Sequence, residues 1–394
     1  MGNSLTAACD EFLGFSRLWV GTFKGRAFYS ANQGVESYRD LPPIIKNKEF
    51  AMRPALRFAK TACVLISSAL MSVAAHGAMV ELADSELSEV TGQAFINLAT
   101  DSYAGVNYTR INFGMDIETQ LNMNKLKLGL YGRTGEAANT ADINIDNFAL
   151  GSVNANDTIN PFRISNPFLE LAYKDNKVVG VRLGFGEAQG HLSGNINTYT
   201  GNLAIDIFGK GSYLGPKMNC GWDPICGIAK SLVSGTWAND EFKAQASLVN
   251  GAGNADPVRG TMAGLPDGTT LSMPASGAVA NFLLGLFKSQ DCGLLGVSTC
   301  FNLSDYGSIP VGKFDNQTQQ FVGTANGVFL SMQTENVQWR DQQDASKFIT
   351  ALAGAFMNLP RNADGTAAIN LSFQQALEGI ARKDTCLGSA THGC

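Results

Sequence analysis

The sequence predicts a mainly β protein, an extended antiparallel sheet or sandwich with a few short helices in its C-terminal half. Three features carry that expectation. From Ala94 to about Leu214, polar and apolar residues alternate in run after run, the period-2 pattern of half-buried strands. Glycine is abundant, 43 of 394 residues, and only 16% of residues are charged, which suits many tight turns and argues against a helical bundle. Six cysteines fall in three close couples behind a secretory signal, and so supply covalent staples for a turn-rich fold. No strict repeat of 20 to 50 residues emerges; a regular solenoid is not established, and a solenoid-like stack stays open as a variant of the same class.

From the N-terminus, residues 1–51 show no sustained helical or strand period, and DLPPIIKNKEF (Asp40–Phe50) reads as loop through Pro42 and Pro43. Met52–Ala78 reads as a signal peptide. Arg53, Arg57 and Lys60 give a positive n-region, Thr61–Ala74 is an uncharged and mostly apolar run, and Val73, Ala75 and Gly77 suit cleavage after Ala75 or Gly77. Translation is therefore expected to begin at Met52, with 1–51 a mis-assigned or disordered extension. The alternative is a cytoplasmic extension with Thr61–Ala74 as an uncleaved anchor.

Residues 1–78 hold 9 of the 29 Lys/Arg and 5 of the 34 Asp/Glu, which leaves 20 basic against 29 acidic residues, a net charge near −9 for the exported part. With no basic cluster, such a chain is repelled by nucleic acid and by anionic lipid surfaces. Cys9 and Cys63 belong to the discarded part. The other six, Cys220, Cys226, Cys292, Cys300, Cys386 and Cys394, allow fifteen connectivities, and their spacing favours three local bridges. Zinc is the rival reading, but C-x-x-C is missing and the exported chain offers only His191 and His392 as certain histidines.

Two blocks follow the signal, 79–214 and 215–394. In VELADSELSEVTGQA (Val80–Ala94), Ala83, Leu87, Val90 and Ala94 share one helical face, and Asp84 or Ser85 could cap a short helix; alone it is marginal. The bland reading is a terminal turn packed on the main domain, the sharper one a recognition tag. Tyr103–Tyr131 alternates but changes face near Asn124-Lys125, which calls for a turn or bulge, and Ala141–Leu150 changes face likewise. Phe168–Tyr173, a turn at Lys174-Asp175-Asn176 and Val178–Gly186 form a hairpin signal. His191–Gly209 closes the block, with Gly194 and Gly201 as punctuation. Beyond 215, Ala278–Lys288 reads as a buried apolar helix and Gly327–Trp339 as a strand. Ser346–Leu359 and Phe373–Arg382 read as short helices separated by the Asp364-Gly365 turn. The stretch from Ser234 to Ser276 is loop-rich, with a turn at Pro266-Asp267-Gly268. This second block is expected to pack on the first sheet.

No catalytic residue, metal site or cofactor is expected. G-x-S-x-G is missing, His392 sits too near the C-terminus to be held as a base, and His191 reads as a polar residue on a solvated strand face. Asp142, Asn144 and Asp146 imitate the opening of a calcium loop, yet Asn147 stands where that loop wants Gly and Val153 where it wants Glu. Strand alternation explains the spacing, and solvated faces explain Glu170 and Glu187.

DSELSEVTGQA (Asp84–Ala94) behind a signal peptide, GFGEAQGHLSGNINTYTGN (Gly184–Asn202), GAFMNLP (Gly354–Pro360) and EGIARKDTCLGSATHGC (Glu378–Cys394) form a pattern. It resembles secreted gammaproteobacterial proteins of poorly defined function that carry a SELSEVTGQA-type segment, some linked to pilus or fimbrial filament operons. The resemblance implies a cell-envelope or surface role and carries over no catalytic residue. The expectation is an exported, non-enzymatic protein of the periplasm, outer membrane or cell surface of a Gram-negative bacterium. Its role is structural, adhesive or filament-associated, and its partners are other envelope or filament proteins. The alternative is a periplasmic or outer-membrane-associated module that holds a lipid or other hydrophobic ligand in an apolar groove.

Overall fold

The computed structural model of the chain describes residues 96–386 apart from 155 and 275–277. The expected extension 1–51, the signal 52–78, the segment Val80–Ala94, and Cys394 lie outside the described residues. Among the described residues strand accounts for 55% and helix for 11%, so the fold is mainly β as the alternation implies.

The chain opens with a hairpin of β1 (Ile96–Tyr103) and β2 (Val106–Phe113). Its turn residues Ala104 and Gly105 both sit at positive φ, 52° and 80°, the two-residue geometry that matches strand twist. Next come β3 (Asp116–Thr119), β4 (Leu121–Leu130), β5 (Ala141–Leu150), and the short β6 (Ser152–Val153) and β7 (Ile159–Asn160). The expected hairpin is β8 (Phe162–Lys174) and β9 (Lys177–Thr198), turned at Asp175 and Asn176 with φ of 50° and 59°. After β10 (Gly201–Leu203) and β11 (Ile205–Lys210) come helices α1 (Gly211–Lys217) and α2 (Pro224–Ser234). The second half adds β12 (Glu241–Val249), β13 (Met262–Gly264), α3 (Ala278–Leu284), β14 (Gly293–Leu294), β15 (Val297–Ser298), β16 (Cys300–Asn302), β17 (Ser308–Val311), β18 (Lys313–Asp315) and β19 (Gln320–Gly323). It ends with β20 (Ala325–Gln333), β21 (Val337–Arg340), β22 (Phe348–Ala351), β23 (Gly354–Leu359), β24 (Ile369–Ser372) and α4 (Phe373–Glu378).

Sixteen of the described strands join one sheet, and strands from both sides of residue 214 interleave in it. The 22-residue β9 is its spine. The first part of β9 lies between β8 and β20, and the last part, from Gly190, lies between β17 and β5. Gly190 permits that exchange of neighbours: its φ is 145°, and a Cβ there would sit 2.8 Å from the Phe162 backbone. Pairing is antiparallel except between β10 and β23 and between β11 and β24, which the long intervening chain allows to run parallel.

The larger core cluster contains Leu126, Leu128, Ile143 and Ile145 of β4–β5 with Val328, Met332, Met357 and Leu359 of β20 and β23. A second cluster lies under the β21–β22 hairpin, where Trp339 is fully buried with Val337, Phe329, Phe356, Tyr108 and Val106. Burying side chains of this size stabilises the fold by about 1.5–3 kcal/mol each.

Several local expectations are corrected. Ser346–Leu359 is β22 and β23, not a helix: five successive residues of β23, Ala355 to Leu359, are buried, Asn358 among them, so its sequence does not alternate. Such a run fits either element by pattern, and Gly354 at φ 109° breaks a helix there. The apolar helix is shorter than expected and turns outward: Leu284 is buried but Phe282 is 70% exposed and Leu286 is exposed too. Gly327–Trp339 is divided between β20 and β21. The expected change of face is present in β4, where Leu121 and Met123 of one parity and Leu126 and Leu128 of the other pack on the same core, but the strand runs through Asn124-Lys125 unbroken; in β5, Asn147 at φ 52° accompanies a register shift against β9.

Candidate functional site: an open sheet edge and its apolar face

β1 ends the sheet, and among the described residues only β2 pairs with it. Tyr103 and Val106 close a two-residue turn, so they form a hydrogen-bonded pair, and the antiparallel alternation aims the N–H and C=O of Ile96, Leu98 and Thr100 away from β2. The same alternation sends the Ser102 N–H outward, but the Asp101 carboxylate accepts it at 2.8 Å and closes that end. Edge strands are commonly guarded by proline, lysine or a bulge. INLATDSY contains neither residue, and its register with β2 is unbroken.

The two faces behind this edge differ. On one, Leu98, Ile111, Leu169, Leu183 and Leu330 are direct partners across β1, β2, β8, β9 and β20, so five aliphatic side chains form one row. Beside it, Thr100, Thr109, Leu171, Val181 and Met332 form a second row, and Ile96 with Phe113 begins a third. The inner end, at Met332 and Leu330, meets the main core. The outer end is open: Leu98 is 68% and Ile96 52% exposed, and Ile111, Leu169, Leu171, Val181 and Leu183 are only half-buried.

The opposite face is closed by the β21–β22 hairpin. Tyr103 stacks on Phe348 with centroids 3.7 Å apart, and Arg340 pairs with Asp101, holding that carboxyl below its ordinary pKa. Beneath Trp339 lies Glu170, ion-paired with Arg182 and at 3.2 Å with Arg110. The solvated face expected for Glu170 is thus corrected, whereas Glu187 is exposed. Burial lowers the Arg182 pKa to about 10, and its guanidinium lies 5.0 Å from the Trp339 ring centroid.

Two other buried carboxylates are bound in the same way. Asp142 meets Arg259 at 3.0 Å and Arg133 at 3.2 Å, and accepts the Ala355 N–H at 2.8 Å. Asp206 lies between Arg361 at 2.6 Å and Lys243 at 2.8 Å. The calcium-like spacing dissolves, because Asp142 is taken by arginines and Asp146 by Lys125 and Asn197. Among the described residues no group of three or more His, Cys, Asp or Glu could hold a metal ion. His191, expected on a solvated face, is buried between Phe314 and Phe321, and burial lowers its pKa to about 4 with Lys383 adding to the effect. It occupies the middle of β9, flanked on both sides, rather than the start of a strand.

Of the six singled-out cysteines, Cys220–Cys226 and Cys292–Cys300 form two local bridges, as their spacing implies; Cys386 is described and its expected partner Cys394 is not. Such bonds suit an oxidising, exported location. The first loop presents Trp222 fully exposed, and Asp223 caps α2 by accepting from Ile225 and Cys226 N–H. The second carries β14–β15. Met218, Leu294 and Val297, at or beside these loops, line an apolar cavity of about 40 Å³ with Ile207, Ala244 and Phe373. No helix among the described residues is long and apolar enough to cross a membrane.

Residues 56–158 match a family of unknown function, DUF6160. The match is about a quarter of the chain and takes in β1 to β6, and therefore the open edge. No curated protein and no solved structure matches. The DUF6160 match supplies no chemistry, so the open edge is weighed on its geometry.

Proposed function

We propose that the chain is an exported, non-enzymatic protein of the cell envelope or surface, with a structural, adhesive or filament-associated role, and that it engages protein partners by accepting a strand at β1. The observation that carries this reading is the unguarded edge of β1, with Leu98 and Ile96 exposed at the end of an apolar row. An added strand with alternating apolar residues would extend that row while its backbone pairs with the outward groups of Ile96, Leu98 and Thr100. Supporting it, the three buried carboxylates described above are each held between two cations and serve the scaffold. The acidic balance disfavours nucleic acid.

A photo-crosslinking residue in place of Leu98, in the producing cell, tests the proposal. The expected result is a discrete adduct with another envelope protein or another copy, lost when Thr100→Pro removes an outward N–H without touching the β2 ladder. Thr100→Pro must retain the Cys220–Cys226 and Cys292–Cys300 disulfides and its melting temperature. A chain that yields no adduct at Leu98 contradicts the reading.

The cavity beside the disulfide loops favours a second reading, a module for a lipid or other hydrophobic ligand. At about 40 Å³ it accepts a few methylene groups, well below the ~300 Å³ of an ordinary ligand pocket, so this reading requires the loops to part. Native mass spectrometry separates the two, since a co-purifying lipid would favour the second.

A further inference from the structure

The partner that β1 fits best is a second copy of the same strand, an inference that rests on strand acceptance at β1 and names its occupant. The outward backbone groups belong to Ile96, Leu98 and Thr100, alternate residues placed evenly about Leu98. An antiparallel mate of the same sequence, related by a twofold axis beside Leu98, sets Leu98 against the partner's Leu98. It also sets Ile96 against the partner's Thr100, and the reverse. Each opposed pair then exchanges both of its N–H···O bonds, so every outward group of the three residues is met. We propose that two copies of the chain pair antiparallel through β1 in this register, joining their sheets into one across the twofold axis.

The side chains agree with the backbone. Directly opposed residues share a face, so the aliphatic row of Leu330, Leu183, Leu169, Ile111 and Leu98 runs on into the same row of the second copy. On the other face Asn97 meets the partner's Ala99, and neither is charged. Asp101 is the one charged residue of β1, and each copy's Arg340 already holds it. At ~3.4 Å per residue this register keeps the two Asp101 carboxylates about 20 Å apart. Neighbouring registers fit less well. An axis beside Ala99 sets Ile96 against Ser102, whose N–H the Asp101 carboxylate has taken, and an axis beside Asn97 sets Thr100 beyond the end of β1. The contact is self-complementary, as a twofold interface must be. Both strands are ordered before they meet, so association does not have to fix a disordered donor. An edge contact this short is small among protein interfaces, so the edge stays open in dilute solution and closes where copies are concentrated.

Disulfide trapping and sedimentation of the exported protein test it. Opposed Cα atoms of a hydrogen-bonded pair lie about 5.5 Å apart, within disulfide reach. Leu98→Cys should therefore give a covalent dimer on mild oxidation, and so should Ile96→Cys mixed with Thr100→Cys. Ile96→Cys alone should give none, because its twin lies four residues along the partner strand, about 14 Å away. Equal dimer yields from Leu98→Cys and Ile96→Cys overturn the register. In sedimentation velocity the unmodified protein should be monomeric at about 1 μM and approach twice that mass by about 500 μM. Leu98→Lys, which sets two like charges side by side at the axis, should stay monomeric with its melting temperature unchanged. A parent that stays monomeric throughout, or a Leu98→Lys protein that dimerises like the parent, overturns the proposal. If that monomeric parent still yields a Leu98 photo-adduct with a different envelope protein, strand acceptance stands and self-pairing alone falls. If the adduct is missing as well, both fall.

Discussion

Replacing Glu170 by glutamine removes the one negative charge that compensates Arg182 beneath Trp339. Arg182 is fully buried, Arg110 lies on the same carboxylate, and burial already lowers the Arg182 pKa to about 10. In Glu170→Gln, two guanidinium groups face a neutral amide, and Arg182 keeps the Arg340 carbonyl at 2.9 Å as its uncharged acceptor. Breaking a buried pair in this way costs about 3–5 kcal/mol. At roughly 2–4 °C per kcal/mol, that is about a 10 °C fall in Tm, followed by the strand circular-dichroism signal. The charge, rather than the shape, causes the loss, so Glu170→Leu combined with Arg182→Met should recover most of it. A Glu170→Gln protein within about 0.5 kcal/mol of the parent would refute the reasoning, because surface pairs alone behave that way.

Gly184→Ala would place a Cβ 2.0 Å from the Phe168 ring; a destabilisation of about 1–3 kcal/mol is expected in denaturant titration, and Phe168→Leu should relieve part of it. His191 has its pKa lowered to about 4, so the unfolded chain binds a proton that the folded chain refuses between roughly pH 6.5 and 4. Its stabilising contribution is complete above about pH 6.5 and shrinks as pH falls towards 4, by up to about 3 kcal/mol. His191→Leu should flatten that part of the Tm-against-pH curve relative to the parent. Removing Cys292 and Cys300 together as serines should cost about 2–3 kcal/mol, read by chemical unfolding under oxidising conditions.

The β8–β9 hairpin was legible because Lys174-Asp175-Asn176 interrupts two alternating runs, and turns of this kind accept positive φ at Asp and Asn. Its ion pair was not. A plain two-residue turn would set Glu170 opposite Val181, but a register shift between Ala172 and Tyr173 sets it opposite Arg182. The local cysteine loops were readable from spacing, since their bridges close within 6 and 8 residues. The fate of each strand face was hidden, because the covers come from far along the chain: Trp339 and Val337 bury the Tyr108 and Ala172 side, while Ile111 and Leu169 on the other side remain half-buried. For the same reason His191 read as solvated, although Phe314 and Phe321 enclose it from more than 100 residues away. β23 was misread because burial on both faces erases the period that identifies a strand.

Amide exchange at Leu98 and Thr100 offers the most direct test of β1 as a receiving edge. The purified protein and the same protein recovered in its native envelope fraction are compared. Fast exchange in the first and strong protection in the second is the outcome that strand addition requires. Equal, fast exchange in both would mean that no strand is accepted there.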